Sequence, residues 1–312
     1  MNAPTESYLK VHYELRPAKQ VERRMLIDAF QLLSLSGFSI KDYQYTGMGS
    51  FYFIDFSLFH RWLGFKKMLS VEYSNKIRKR VQFNKPFDFI EIKIAPIGDV
   101  IPTLSPDLKH ALWLDYDGIL NESHLADISL ATTYLSVGSI LLITVDIEPP
   151  TDTDDPKDWR NYFVEEIGLP SSLRASQFAE SKLPARNIDA ISRAISEGIL
   201  GRPEVRFLPL FNFIYSDGHL MLTVGGMIGT GTERRKIVKG PIAKALYYRG
   251  DWKAEPCRIS VPRLTRKERQ FLDSKMPCGE NWKPKEFELD AESVAAYREI
   301  YRFCPAYAEF LL

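Results

Sequence analysis

Tyr45-Thr46-Gly47-Met48-Gly49-Ser50-Phe51 follows an apolar run, and its spacing predicts a turn between a first strand over 38–45 and a helix over 51–63. A strand-to-helix turn that passes close under a bound molecule needs residues without a Cβ, and Gly47 and Gly49 supply two of them. A plain tight turn would use the same glycines.

Working outward, the next apolar segment, 67–73, ends in Val71-Glu72-Tyr73. Glu72 stands about 25 residues after the first glycine, where a doubly wound sheet places an acid that accepts hydrogen bonds from ribose hydroxyls. The other reading is an acid capping the basic helix expected over 75–83. No basic residue takes the place of Glu72, which disfavours a 2′-phosphate. A third strand alternates over 89–95 and is followed by Gly98-Asp99-Val100; Asp99 could equally be an exposed loop acid. A fourth, 111–114, runs into Asp115-Tyr116-Asp117-Gly118, expected as an acidic loop. A fifth covers 139–145 with Ile140, Leu141, Leu142 and Ile143 in a row, as suits a strand covered on both faces.

Helical periodicity separates these strands. Val21, Met25, Leu26, Ala29, Leu32 and Leu33 recur at helical spacing over 18–36, with Lys19, Glu22, Arg23 and Arg24 falling between them. Further helices are expected over 125–135 and 185–200, with a polar acidic loop over 151–156. Strand and helix in alternation predict parallel βαβ units. The pattern changes at 205–216 and 219–227, two strand-like runs joined by Asp217-Gly218, a hairpin signal. The fold class expected is α/β: a Rossmann-like doubly wound sheet, mostly parallel, closed by a C-terminal antiparallel hairpin. The segments expected are an N-terminal helical segment, 1–37, a nucleoside-binding domain, 38–229, and a helical, basic C-terminal extension, 230–312.

The 312 residues, 45% hydrophobic and 26% charged, suffice for one large domain with an elaborated tail. The net charge of +1 favours no polyanionic partner by itself. No apolar run approaches the ~20 residues of a membrane span. Met1-Asn2-Ala3-Pro4-Thr5-Glu6 lacks a basic-then-apolar leader, and Cys257, Cys278 and Cys304 form no C-x-x-C pair, so a cytoplasmic chain is expected. His60 and His124 have no metal-ligand spacing and no metal is expected. Residues 230–275 hold 13 Lys/Arg and 5 Asp/Glu, with Tyr247, Tyr248 and Trp252 among them. Such interleaving either holds nucleic acid through 234–275 or forms a solvated face.

Over about 20–228 the chain resembles the class I S-adenosylmethionine (SAM)-dependent methyltransferases. Tyr45 through Phe56 followed by Leu58-Phe59-His60-Arg61 is similar to the opening of bacterial chains described as O-methyltransferases. The broader family pattern has an acid where Tyr45 stands and a third glycine where Phe51 stands. The resemblance implies SAM as cofactor, ribose for Glu72, adenine for Asp99 and the methionine end for the turn of Gly47 and Gly49. Tyr45, Tyr116 and Asp117 join them as cofactor-binding candidates, and Asp115 is the candidate base or positioning acid. Asp146 and Glu148, after the fifth strand, would border the acceptor. The activity implied is methyl transfer to an oxygen or nitrogen nucleophile; the alternative is a catalytically silent relative that binds nucleic acid or acts as a regulatory module. An NAD-dependent oxidoreductase is disfavoured by Gly98-Asp99 and by the closing hairpin.

Overall fold

The computed structural model describes residues 16–49 and 51–305; Ser50, inside the glycine motif, and the opening residues Met1 to Glu6 lie outside the described residues. In chain order the elements are α1 (Pro17–Leu35), β1 (Gln44–Met48), α2 (Ile54–Leu63), β2 (Lys67–Glu72), α3 (Arg78–Asn84), β3 (Ile90–Ile94) and α4 (Ile97–Val100). Then come β4 (His110–Ile119), α5 (Glu122–Tyr134), β5 (Ile140–Asp146), α6 (Pro156–Glu165), α7 (Leu183–Ile199), β6 (Arg206–Ser216) and β7 (Leu220–Gly229). The C-terminal part adds α8 (Gly231–Lys239), β8 (Cys257–Ile259), α9 (Arg266–Lys275) and α10 (Ala291–Ile300).

The strands form an eight-stranded sheet in the order β3-β2-β1-β4-β5-β7-β6-β8. β1 to β5 are parallel, while β7 runs antiparallel to β5 and to β6. The five parallel strands and the closing hairpin are thus those expected. Several boundaries differ, three of them by more than the fraying of an end. Ile40–Asp42 forms a 3-10 turn, so the first strand begins at Gln44 and carries Gly47 inside it, paired with Ser70 and Trp113. β4 runs on past Leu114 through an irregularity between Asp115 and Ile119, so the expected acidic loop is strand. α6 follows the acidic loop; Asp155 accepts from the Lys157 amide and Pro156 opens the helix, an Asp-Pro start.

Apolar side chains pack on both faces. One face gathers Met25, Phe30, Tyr45, Phe59, Trp113, Leu142 and Phe213 beneath α1 and α2. The other gathers Val71, Leu112, Leu114, Ile143, Ile191 and Ile195 beneath α5 and α7. Full burial of each large side chain contributes about 1.5–3 kcal/mol. The chain leaves β1 for α2 on the first face and β4 for α5 on the second. Adjacent strands whose connections part to opposite faces open a crevice at their carboxyl ends. The C-terminal extension shares this core: β8 pairs in parallel with β6, and Tyr247, 1% exposed, donates to Asp28 of α1.

α1 has no local side-chain cap; Asp217 of the β6–β7 link accepts from the backbone N–H groups of Ala18 and Lys19 at 3.1 and 2.8 Å. The Asp-Gly turn read as a hairpin signal therefore also caps the first helix, which lies across the hairpin.

Candidate active site

The carboxyl ends of β1, β2 and β4, with the turn after β3, gather the sequence-predicted residues. Gly49 leaves β1 with its N–H bonded to the Val71 carbonyl of β2. A Cβ on Gly49 would lie 3.0 Å from Ser70 Oγ, 3.1 Å from the Val71 oxygen and 3.2 Å from Glu72 Cβ. The first loop thus lies directly against the end of β2, a close approach that glycine permits. Glu72 is half-buried there, and its Oε1 accepts from the Ser74 amide at 3.1 Å. Gly98 and Asp99 sit in the single turn of α4, with Asp99 exposed. Gly98 faces α5: a Cβ on it would meet Asp127 Oδ1 at 2.6 Å.

Alternation along β4 sends Asp115 and Tyr116 to opposite faces. The Tyr116 ring is 5% exposed, stacks on His124 at 3.8 Å between centroids, and donates its hydroxyl to Asp127 Oδ2 at 2.9 Å. Burial pushes the Asp127 carboxyl up, opposed by the Tyr116 hydroxyl and assisted by Asp99. Burial likewise lowers His124 to about 4, against a smaller opposing contribution from the Ile119 backbone. Tyr116 is therefore packed against α5 on the second face of the sheet. Asp117 is exposed just beyond it.

Tyr45 packs on the first face of the sheet. Its side chain is 0% exposed, packs edge-on against Phe56 and Phe59, and donates its hydroxyl to Asp55 in the first turn of α2. Gly47 leaves room for that phenol, since a Cβ there would come within 2.6 Å of the Tyr45 oxygen. Gly47 thus packs within the strand, and Gly49 alone of the two glycines lies at the turn. Burial pushes the Asp55 carboxyl up, with Arg23 pulling the other way.

Lys19, Glu22 and Arg23, expected as the polar positions of α1, are 4%, 0% and 3% exposed. They share one helical face and point at the carboxyl end of the sheet. Lys19 Nζ lies 2.8 Å from Asp115 Oδ1, 3.0 Å from Glu22 Oε2 and 3.0 Å from the Tyr215 hydroxyl, over the Trp113 ring at 4.5 Å. Burial alone would lower the Lys19 pKa; Asp115 and Glu22 outweigh it and hold the ammonium well above its usual range. Thr223 donates to Glu22, and Thr144 bridges Thr223 and the Trp113 indole N–H. Asp115 remains 30% exposed, so it keeps access to solvent with Lys19 on one oxygen. The i, i+3, i+4 spacing of these charges was visible in the sequence; their burial was not.

The aromatics of the basic stretch face inward. Tyr247 is buried against α1, and Trp252 stacks on Phe207 at 5.3 Å. Exposed stacking platforms of the kind that hold single-stranded nucleic acid are not formed by these two rings. No helix of the described residues is long and apolar enough to cross a membrane.

Sheet order and closing hairpin define an α/β protein of the Rossmann-like methyltransferase class. The chain belongs to the family described as "Putative O-methyltransferase", whose model matches residues 11–312. No curated protein matches it. Among solved structures it is similar to Trm1 from Pyrococcus horikoshii in complex with S-adenosyl-L-methionine, at 12% identity and a TM-score of 0.45, over 72% of this chain and 58% of that one. It is also similar to the Streptomyces achromogenes O-methyltransferase TomG, at 13% identity and a TM-score of 0.38, over 72% and 94% of the two chains. A Klebsiella pneumoniae protein described as a putative O-methyltransferase aligns at 12% identity and a TM-score of 0.38, over 69% and 90%.

Proposed function

We propose that the chain transfers a methyl group from SAM to an oxygen or nitrogen nucleophile. The observation that carries this reading is the pair of accessible carboxylates, Glu72 at the end of β2, against which Gly49 seats the first loop, and Asp99 in the turn after the neighbouring β3. The residues fit an adenosine. Glu72 stands at the strand end where ribose hydroxyls would donate to it. Asp99, exposed after β3, would accept from the exocyclic amine of adenine. The Ser70 hydroxyl, buried beside Gly49, has no hydrogen-bond partner among the described residues and adds a polar atom under the same loop.

SAM would supply a methyl carbon already activated by its sulfonium, so the protein's work is alignment, which can provide about 7–11 kcal/mol. Gly49 gives the loop its close approach, Glu72 and Asp99 orient the nucleoside, and Asp117 faces solvent at the rim. Tyr45 and Tyr116 tie the strand ends to α2 and α5 through Asp55 and Asp127. Asp115, fixed by Lys19, is the group that orients the acceptor and takes its proton where one must leave. The test is transfer of tritium from methyl-labelled SAM into protein, RNA, DNA and small-molecule fractions. The reading expects label in one fraction that is lost in Asp115→Asn, and it fails if no fraction is labelled while SAM binds.

A further inference from the structure

Among the described residues, Asp146, Glu148 and His219 bring one ligand atom each to within 4.8 Å of one another, at the junction of β5 with the β6–β7 link. His219 Nδ1 lies 3.3 Å from Asp146 Oδ2 and 3.0 Å from Glu148 Oε2. Two ligands at about 2.1 Å from a metal are about 3.0 Å apart at an octahedral corner and about 3.4 Å apart at a tetrahedral one. The two separations from His219 fall in that interval.

Both carboxylates are held for the purpose by their other oxygens. Asp146 Oδ1 accepts from the Glu148 amide at 2.8 Å, and Glu148 Oε1 accepts from the Leu220 amide at 3.2 Å. Such outer hydrogen bonds fix the direction in which a ligating oxygen points. The Leu220 amide belongs to β7, so the orientation of Glu148 is set by the strand opposite rather than by its own loop. Asp146 is 9% exposed, while His219 and Glu148 are 51% and 41% exposed, which leaves an approach from solvent.

We propose that Asp146, Glu148 and His219 form a binding site for a divalent first-row cation of the Mn²⁺, Co²⁺ or Zn²⁺ type. One imidazole nitrogen with two carboxylate oxygens is a borderline donor set, better suited to these ions than to Ca²⁺ or Mg²⁺, which take oxygen alone. The two carboxylates balance the ion's charge. Asp146 ends the strand beside β4, where Asp115 pairs with Thr144 two residues earlier, so the cation would sit at the acceptor side of the crevice. This site stands or falls independently of methyl transfer.

The experiment is titration of the full chain with Co²⁺, followed by visible absorption, and with Mn²⁺, followed by electron paramagnetic resonance. The expected result is saturable binding of one ion per chain, weakened by at least about tenfold in His219→Ala and in Glu148→Gln. Circular dichroism of each variant checks the fold, and the half-exposed Glu148 keeps the test alive should His219→Ala not fold. Absence of saturable binding below about 1 mM, or equal affinity in parent and folded variants, overturns the site and leaves the imidazole as a hydrogen-bond donor that ties the hairpin to β5.

Discussion

Lys19 of the first helix and Asp115 of the fourth strand, 96 residues apart in sequence, meet as a 2.8 Å ion pair. The pair joins the segment before the sheet to the strand that borders the crevice. Because Lys19 also bonds Glu22 and Tyr215, one ammonium ties α1, β4 and β6 together. The candidate acid is thereby positioned by a helix outside the βαβ units themselves.

Replacing Lys19 by Met keeps the chain length and removes the charge. Glu22 is left fully buried without its cation, and breaking one side of such a pair costs about 3–5 kcal/mol. Urea unfolding at pH 7 measures this. The double variant Lys19→Met/Glu22→Gln is expected to recover much of the loss, since both charges leave together. A single-variant cost below about 1 kcal/mol would mean that the network does not hold α1.

Asp217 caps α1 from the far hairpin. Asp217→Ala is expected to destabilise by about 1–2 kcal/mol and Asp217→Asn by less, since the amide oxygen still accepts. Hydrogen exchange at the Ala18 and Lys19 amides should quicken in the alanine variant. Unchanged exchange there would place the cap elsewhere.

His124 stays neutral down to about pH 4, because its stack against Tyr116 removes it from water. An unfolded histidine takes up its proton near pH 6.5. The unfolded state therefore binds more protons between these values. The contribution to stability is complete above about pH 6.5 and is lost as pH falls towards about 4. His110, also lowered by burial, acts in the same sense. Proton NMR of the His124 ring should give a midpoint near 4, and His124→Phe should flatten the fall in stability across the window. A midpoint near 6.5 would contradict the buried stack.

Gly49→Ala forces a methyl to 3.0–3.2 Å from Ser70 Oγ, the Val71 carbonyl and Glu72 Cβ. The carbonyl is held in the sheet and cannot retreat, so the loop must lift away from β2. SAM affinity is expected to fall by about tenfold, with a loss of stability of about 1–3 kcal/mol. Isothermal calorimetry and unfolding of the same variant separate the two effects. Undiminished SAM binding would remove the loop from the account.

The sheet was legible because its strands are apolar runs broken by glycines and acids, and because Asp217-Gly218 announces the hairpin. Glu72 fell at a strand end for the same reason, while Asp99 lies in the helical turn that follows β3. Gly47 was misplaced because spacing does not separate a strand glycine from a turn glycine; the room it makes for the Tyr45 ring, two residues back on the same strand, depends on how that ring packs against α2. Helical periodicity assigns charges between apolar residues to water, so the burial of Lys19, Glu22 and Arg23 was hidden until their partners on β4 and β7 came into view. β8 is a three-residue strand with no pattern to read. The inward turn of Tyr247 and Trp252 depends on Asp28 and Phe207, distant in sequence.

The most direct test is calorimetric titration of SAM into the parent chain and into Glu72→Ala. The account predicts micromolar binding to the parent and at least about tenfold weaker binding to the variant, as loss of a charged hydrogen-bond acceptor implies. Equal affinity in the two, with the fold intact, would contradict the placement of the nucleoside over the ends of β1 and β2.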